Sequence, residues 1–160
     1  METKSVEIRP PEGVNVVIGQ SHFIKTAEDI AEIVVTTVPQ GKYGLAFNEA
    51  SEPCLVRAEG NDAPLKEAAV EHARAIAAGH VFVLCLRDCY PMNILNRLKE
   101  CPEVCSIFCA TANPIEVIVA ESTLGRGVLG VIDGSRPKGV ETERDVADRK
   151  GFLRKIGYKL

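Results

Sequence analysis

His22, His72 and His80 are the groups in this chain best suited to nucleophilic or acid–base chemistry. His22 sits in Gly19-Gln20-Ser21-His22-Phe23-Ile24-Lys25-Thr26, a polar stretch between a strand-like run and a helix start. A helix N-terminus offers free N–H groups and a positive dipole end, and Lys25 adds a cation, so the stretch suits a phosphate. A neutral imidazole beside such a phosphate can attack phosphorus and form a phosphoramidate, which is nucleophilic catalysis by histidine. His80 directly follows Gly79, at a helix C-terminus and the head of an apolar run. There the dipole favours the imidazolium while burial disfavours it. His72 falls on the apolar stripe of its helix and reads as a core histidine with one satisfied hydrogen bond.

Further polar side chains fall where strand-like runs end, the usual place for ligands in α/β sheets. Glu49 lies in one such connection, Asn61 and Asp62 in a second, Asn93 near the start of a short helix, and Asn113 after a strand. Glu49, Asp62 and Asp133 suit sugar hydroxyls, or plain caps and turns; Asp133-Gly134 is a turn signal in itself. Gly125-Arg126-Gly127-Val128-Leu129-Gly130 is a literal GxGxxG. The dinucleotide fingerprint needs a strand before the glycines and a helix opening at them. Here the apolar run 115–120 precedes and another, 128–132, follows, so the context is strand, turn, strand. Gly125 and Gly127 then permit a tight turn, and Gly130 admits close backbone approach within the second strand. Arg126 projects from the turn as a candidate phosphate ligand. No GxxxxGK[ST] cradle, protein-kinase signature set or HExxH pattern is present.

The elements that must position these groups are legible from periodicity. Strands are expected at 5–9, 14–18, 43–47, 54–58, 80–86, 104–109 and in a hairpin of 115–121 with 128–132. Helices are expected over 27–38, with Thr26 as N-cap, then from Asp62 to a stop at Gly79, over 91–99, and over 141–156. Strands and helices interleave without a linker, which predicts one α/β domain over residues 1–160, a mixed β-sheet with helices packed on its faces. A chain of 160 residues with 46% hydrophobic content supports such a core. The formal net charge of -3 gives no electrostatic case for nucleic acid or an anionic membrane. No run approaches the roughly 20 apolar residues of a membrane span, and the N-terminus lacks a signal-peptide core, so a cytoplasmic protein is expected. The six cysteines form no CxxC pair, and Cys85, Cys105 and Cys109 fall in apolar runs, so burial is expected and no metal site.

Segments throughout the chain resemble the adenosine-specific kinase family of archaea and thermophilic bacteria. They include GVNVVIGQSHFIKTAEDI (13–30), GND (60–62), AGHVFV (78–83), YPMNILN (90–96) and PEVCSIFCATANPIEVIVAE (102–121). GRGVLGVIDG (125–134), GVE (139–141) and RKIGY (154–158) complete the set. The chain departs from that family at Asn48, where a small residue is more usual, and at Ser51-Glu52, where Ser-Gly is common. The resemblance implies a compact fold that binds adenosine or AMP, a histidine able to carry a phosphoryl group, and a homo-oligomer such as a trimer. Its HFIKT match points to His22 and Lys25, and its GHVF match to His80. The expected function is an adenosine/AMP-binding phosphotransferase acting through His22 or His80. Lys25 and Arg126 would neutralise phosphate, and Asn61, Asp62 and Asn113 would orient ribose or base. It would need a phosphoryl donor, with magnesium a candidate partner, and no other cofactor. The alternative is a non-catalytic adenosine/AMP sensor with a phosphate site at a helix N-terminus.

Overall fold

In the computed structural model, which describes residues 1–160, eight strands and four helices alternate along the chain. The first half comprises β1 (Glu2–Ile8), β2 (Asn15–Ser21), α1 (Thr26–Thr37), β3 (Lys42–Asn48), β4 (Val56–Gly60) and α2 (Ala63–Ile76). The second comprises β5 (Val81–Arg87), α3 (Pro91–Glu100), β6 (Val104–Thr111), β7 (Ile115–Glu121), β8 (Arg126–Asp133) and α4 (Glu143–Lys155). One sheet has the order β4-β3-β5-β2-β6 and a smaller one the order β1-β7-β8. β2 and β3, joined through α1, run parallel to each other, yet β5 lies between them and pairs antiparallel with both. The α/β domain with helix-covered faces is thus present, and its strands divide between two sheets whose neighbours are all antiparallel.

Alternation along the strands sorts the core into two layers. On one face of the large sheet, Val17, Leu45, Phe47, Phe82, Leu84 and Leu86 pack against Ile30 and Val34 of α1 and Ile94 and Leu98 of α3. On the other, Val16, Ile18, Ala46, Val83 and Cys85 meet the α2 stripe Leu65, Ala69, Ala73 and Ile76. Val117 and Val119 of the small sheet close the same layer. β5, buried on both faces from Val81 to Leu86, is the central strand its continuous apolar run predicts. α2 approaches β3 so closely that a Cβ on Gly44 would lie 2.1 Å from the Leu65 carbonyl carbon. Only glycine fits there. α4 buries none of its residues.

Several local expectations are corrected. Thr26 is not the N-cap of α1; Lys25 occupies that position without a side-chain cap, and Thr26 Oγ1 donates instead to the Phe23 carbonyl at 2.5 Å. α2 ends at Ala77, which takes the left-handed conformation (φ 52°), so Gly79 is not its stop. The hairpin turn is Ser122 to Gly125, closed by Ser122 N–H to the Gly125 carbonyl at 2.9 Å, and Arg126 already belongs to β8. Gly130 has open space where a Cβ would stand, so no backbone crowds it. It borders a register shift at which Leu129 is the extra residue, and a bulge is the other common reason for a strand glycine. Cys105 is exposed because β6 is an edge strand, whereas burial pushes the Cys85 thiol up to about 12. His72 is half-buried, and its Nε2 has no hydrogen-bond partner, contrary to a satisfied core histidine.

Candidate functional site

β2 ends at Ser21, β3 ends at Asn48 and β5 begins at Val81, so antiparallel pairing gathers these points at one end of the large sheet. The backbone ties them together at His80. Its N–H donates to the Asn48 carbonyl at 2.7 Å, and its carbonyl accepts from Ser21 N–H at 2.9 Å. His80 adopts a φ of 60°, a conformation that side-chain-bearing residues seldom take and that concentrates at functional sites. Its ring stacks on Phe47, with centroids 5.7 Å apart and planes inclined by 12°. The imidazole is therefore held in a defined place.

Asn48, which the sequence marked only as a departure, proves to be central to this end. It is 8% exposed, and its amide nitrogen donates to the carbonyls of Ala73 at 2.8 Å and Ala78 at 3.1 Å. Two acceptors fix which way the amide faces. That leaves Oδ1 buried with no partner, a state costing about 1–3 kcal/mol. The available signal was a single Asn closing the apolar run Tyr43 to Phe47. Asn48 lines a cavity of about 310 Å³ with Glu49, Cys54, Arg74 and Gly79.

This cavity adjoins a larger cleft of about 590 Å³, which shares Glu49, Cys54 and Gly79 and adds Glu121, Arg126 and Gly127. A volume of this order is usual for a small-molecule site. The Glu49 carboxylate is 12% exposed and accepts from Arg57 Nη2 at 2.7 Å and Nε at 3.2 Å. Arg126 is delivered by the first residue of β8, which bridges to Ala78. Its guanidinium donates to Glu121 and to the Ala75 and Ile76 carbonyls at 3.2 and 3.5 Å, the electronegative end of α2. Hydrogen bonds from Lys4 and then Arg126 hold the Glu121 carboxyl below the usual carboxylate range.

His22 and Lys25 lie at the same end of the sheet, on the β6 side. His22 is exposed, and its N–H donates to the Glu103 carbonyl at 2.8 Å. The N–H groups of Thr26 and Ala27 are taken up by the Phe23 and Ile24 carbonyls at 2.9 and 3.2 Å, and Lys25 pairs with Asp29. The start of α1 therefore offers an anion fewer donors than its sequence suggests.

The other candidates go to the opposite end of the sheet, where each is occupied by the fold. Asn61 accepts from Tyr43 N–H and donates to the Gly41 carbonyl, both at 2.9 Å. Asp62 caps α2, accepting from Leu65 N–H at 3.1 Å. Asn93 accepts from Tyr90 N–H at 2.8 Å at the start of α3. Asp133 accepts from Thr111 Oγ1 at 2.8 Å and Asn113 Nδ2 at 3.0 Å, tying β8 to the end of β6. His72 stands apart on α2, where burial lowers its imidazole below the ordinary value.

Comparisons with known proteins agree with this architecture. No helix is long and apolar enough to cross a membrane. No curated protein matches the chain significantly. Among solved structures, the crystal structure of the PH1918 protein from Pyrococcus horikoshii OT3 superposes with a TM-score of 0.93 at 44% sequence identity, covering 99% of this chain and 98% of that one. The family described as adenosine specific kinase matches residues 6–159, which includes all four helices and every strand except the first residues of β1. With the match extending over nearly the whole fold, the chain belongs to the adenosine-specific kinase family.

Proposed function

We propose that the protein is a phosphotransferase that binds adenosine or AMP in the cleft bounded by Glu49, Gly79 and Arg126 and carries the phosphoryl group on a histidine. The observation that supports it most is the buried, unpartnered Oδ1 of Asn48 next to that cleft. The exocyclic amine of adenine is an N–H donor suited to this acceptor, whereas hypoxanthine presents a carbonyl there, which the site would repel. Glu49, oriented by Arg57, is placed to accept from ribose hydroxyls. Neither histidine lines the cleft, and the His80 ring stacks on Phe47, in the layer under α1 and α3. His80 is the first candidate carrier only as the neighbour of the cleft residue Gly79, and its ring must turn toward the cleft to act; His22 is the second.

In this reading a bridging P–O bond of the donor breaks as an imidazole nitrogen bonds to phosphorus. The primary ribose hydroxyl oxygen then bonds to phosphorus as the P–N bond breaks, its proton passing to the released imidazole nitrogen, and Arg126 offsets charge on the phosphoryl oxygens. The enzyme would work as a cytoplasmic homo-oligomer, with magnesium accompanying the donor. Radiolabelled donor should leave an acid-labile, base-stable label on the protein that disappears in His80→Ala. A label lost only in His22→Ala, or only in His72→Ala, would move the carrier to that residue. Absence of label from every donor would sink phosphotransfer through histidine.

The sensor reading is favoured by one observation. Arg126 is already engaged by Glu121 and two carbonyls, so its charge is partly compensated before any phosphate arrives. Calorimetry that finds adenosine and AMP binding, without labelling or turnover, would select it.

A further inference from the structure

A second cluster of reactive side chains lies outside the cleft, where α1, α3 and β6 converge. Asp29 comes from the first turn of α1, Cys101 caps the C-terminus of α3, and Glu103 leads into β6. A carboxylate oxygen from each acid and the Cys101 sulfur all lie within 4.8 Å of one another. Two of the three groups are deeply buried, Glu103 being 6% exposed and Cys101 7%. Glu103 Oε1 is buried without any hydrogen-bond partner. Its Oε2 has Lys25 Nζ at 4.0 Å, beyond hydrogen-bonding reach. Lys25 instead pairs closely with Asp29 on the exposed rim. A carboxylate taken out of water without a donor on one oxygen is costly, and a coordinated cation is one of the few partners that relieves the cost.

We propose that Asp29, Cys101 and Glu103 form a binding site for a borderline divalent transition-metal cation, with zinc the best match. The donor set selects the class. Magnesium and calcium take oxygen ligands only, whereas zinc accepts a thiolate together with carboxylates. Tetrahedral zinc, with bonds of about 2.0–2.3 Å, places ligand atoms about 3.5 Å apart. The present separations close to that value with shifts of about 1 Å, which side-chain rotation supplies. Three protein ligands leave the fourth position to solvent. A groove of about 420 Å³, lined by Asp29 and Cys101 together with Glu32 and Glu100, gives access from outside. Arg97, which also lines the groove, donates to Thr37 Oγ1 at 3.1 Å and to Thr36 Oγ1 at 3.5 Å.

On binding, the metal–sulfur bond forms as the thiol proton leaves to solvent, and the cation displaces the Lys25 ammonium from Asp29. Lys25 is therefore a built-in competitor. The Glu103 carbonyl holds His22 N–H, so an occupied site would also brace the His22 segment. Sequence spacing did not suggest the site because its ligands come from three separate segments and include a single cysteine.

The test uses the full-length protein, stripped with a chelator and titrated with cobalt(II) and then zinc(II). Cobalt should produce a thiolate-to-metal charge-transfer absorption that zinc abolishes. The band should be absent in Cys101→Ser, retained in Cys105→Ser, and require about tenfold more cobalt in Glu103→Gln. Zinc should raise the Tm of the wild type and leave that of Cys101→Ser unchanged. Should Glu103→Gln fail to fold, Lys25→Ala decides, since it alters an exposed side chain: tighter cobalt binding supports the site, and equal or weaker binding overturns it. No band in the wild type, or a band that survives Cys101→Ser, overturns it as well.

Discussion

The two ends of the five-stranded sheet carry similar numbers of polar candidates but treat them differently. At one end Asn61, Asp62, Asn93, Asn113 and Asp133 each hold a backbone group or a neighbouring side chain. At the other, Asn48 has a buried acceptor without a partner, and His80 takes a positive φ next to the cleft residue Gly79. Polar groups saturated by their own chain serve as architecture. A buried group left unsaturated is one that a ligand would satisfy on opening the adjoining cavity to it.

Substitutions at the two ends should separate binding from stability. Arg126→Ala has the largest expected effect, a loss of up to about a hundredfold in AMP affinity by calorimetry, as befits a charge-assisted contact. Adenosine, without phosphate, should lose much less. Asn48→Ala should erase most of the preference for adenosine over inosine, a change of about tenfold in the affinity ratio. A retained preference would remove Asn48 from base recognition. Asp62→Ala, at the saturated end, should cost about 1 kcal/mol in a denaturant melt and leave AMP affinity unchanged. A comparable loss of affinity would collapse the distinction between the ends.

His72 supplies the subtlest test, because it is unsaturated yet set apart on α2. Its folded pKa is depressed below the free value of 6.5 by burial. Below that pH the unfolded chain binds a proton that the folded chain resists, so this contribution to stability is intact above 6.5 and lost as pH falls through the folded pKa. His72→Gln should flatten the corresponding part of the stability–pH curve. An unchanged slope would show that the folded protein takes up the proton as readily as the unfolded one.

Most of the scaffold was legible from local pattern. The stripe Leu65, Ala69, Ala73 and Ile76 and the apolar run of β5 announced their elements because burial follows helical and strand periods directly. Glu49 and Arg126, marked in the sequence as polar residues beside strand ends, both line the cleft. The rest depended on relations that no local window contains. The insertion of β5 between β2 and β3 turned an expected mixed sheet into antiparallel neighbours. Thr26 looked like a cap, but the tight turn on Phe23 gave that position to Lys25. Asn48 and Glu103 became notable only when the surroundings of their oxygens were known.

The late arrival of β5 has a consequence for how the chain comes off the ribosome. β2 and β3 emerge early but share no hydrogen bonds, since the strand that joins them is made only after α2. β1 waits longer still, because its partner β7 begins at Ile115. Pairing across such separations carries a loop-closure cost before any contact offsets it. β3 can pair with β4 as soon as that strand is made, but β2 gains its first neighbour only once Val81–Arg87 is available to pair with both β2 and β3.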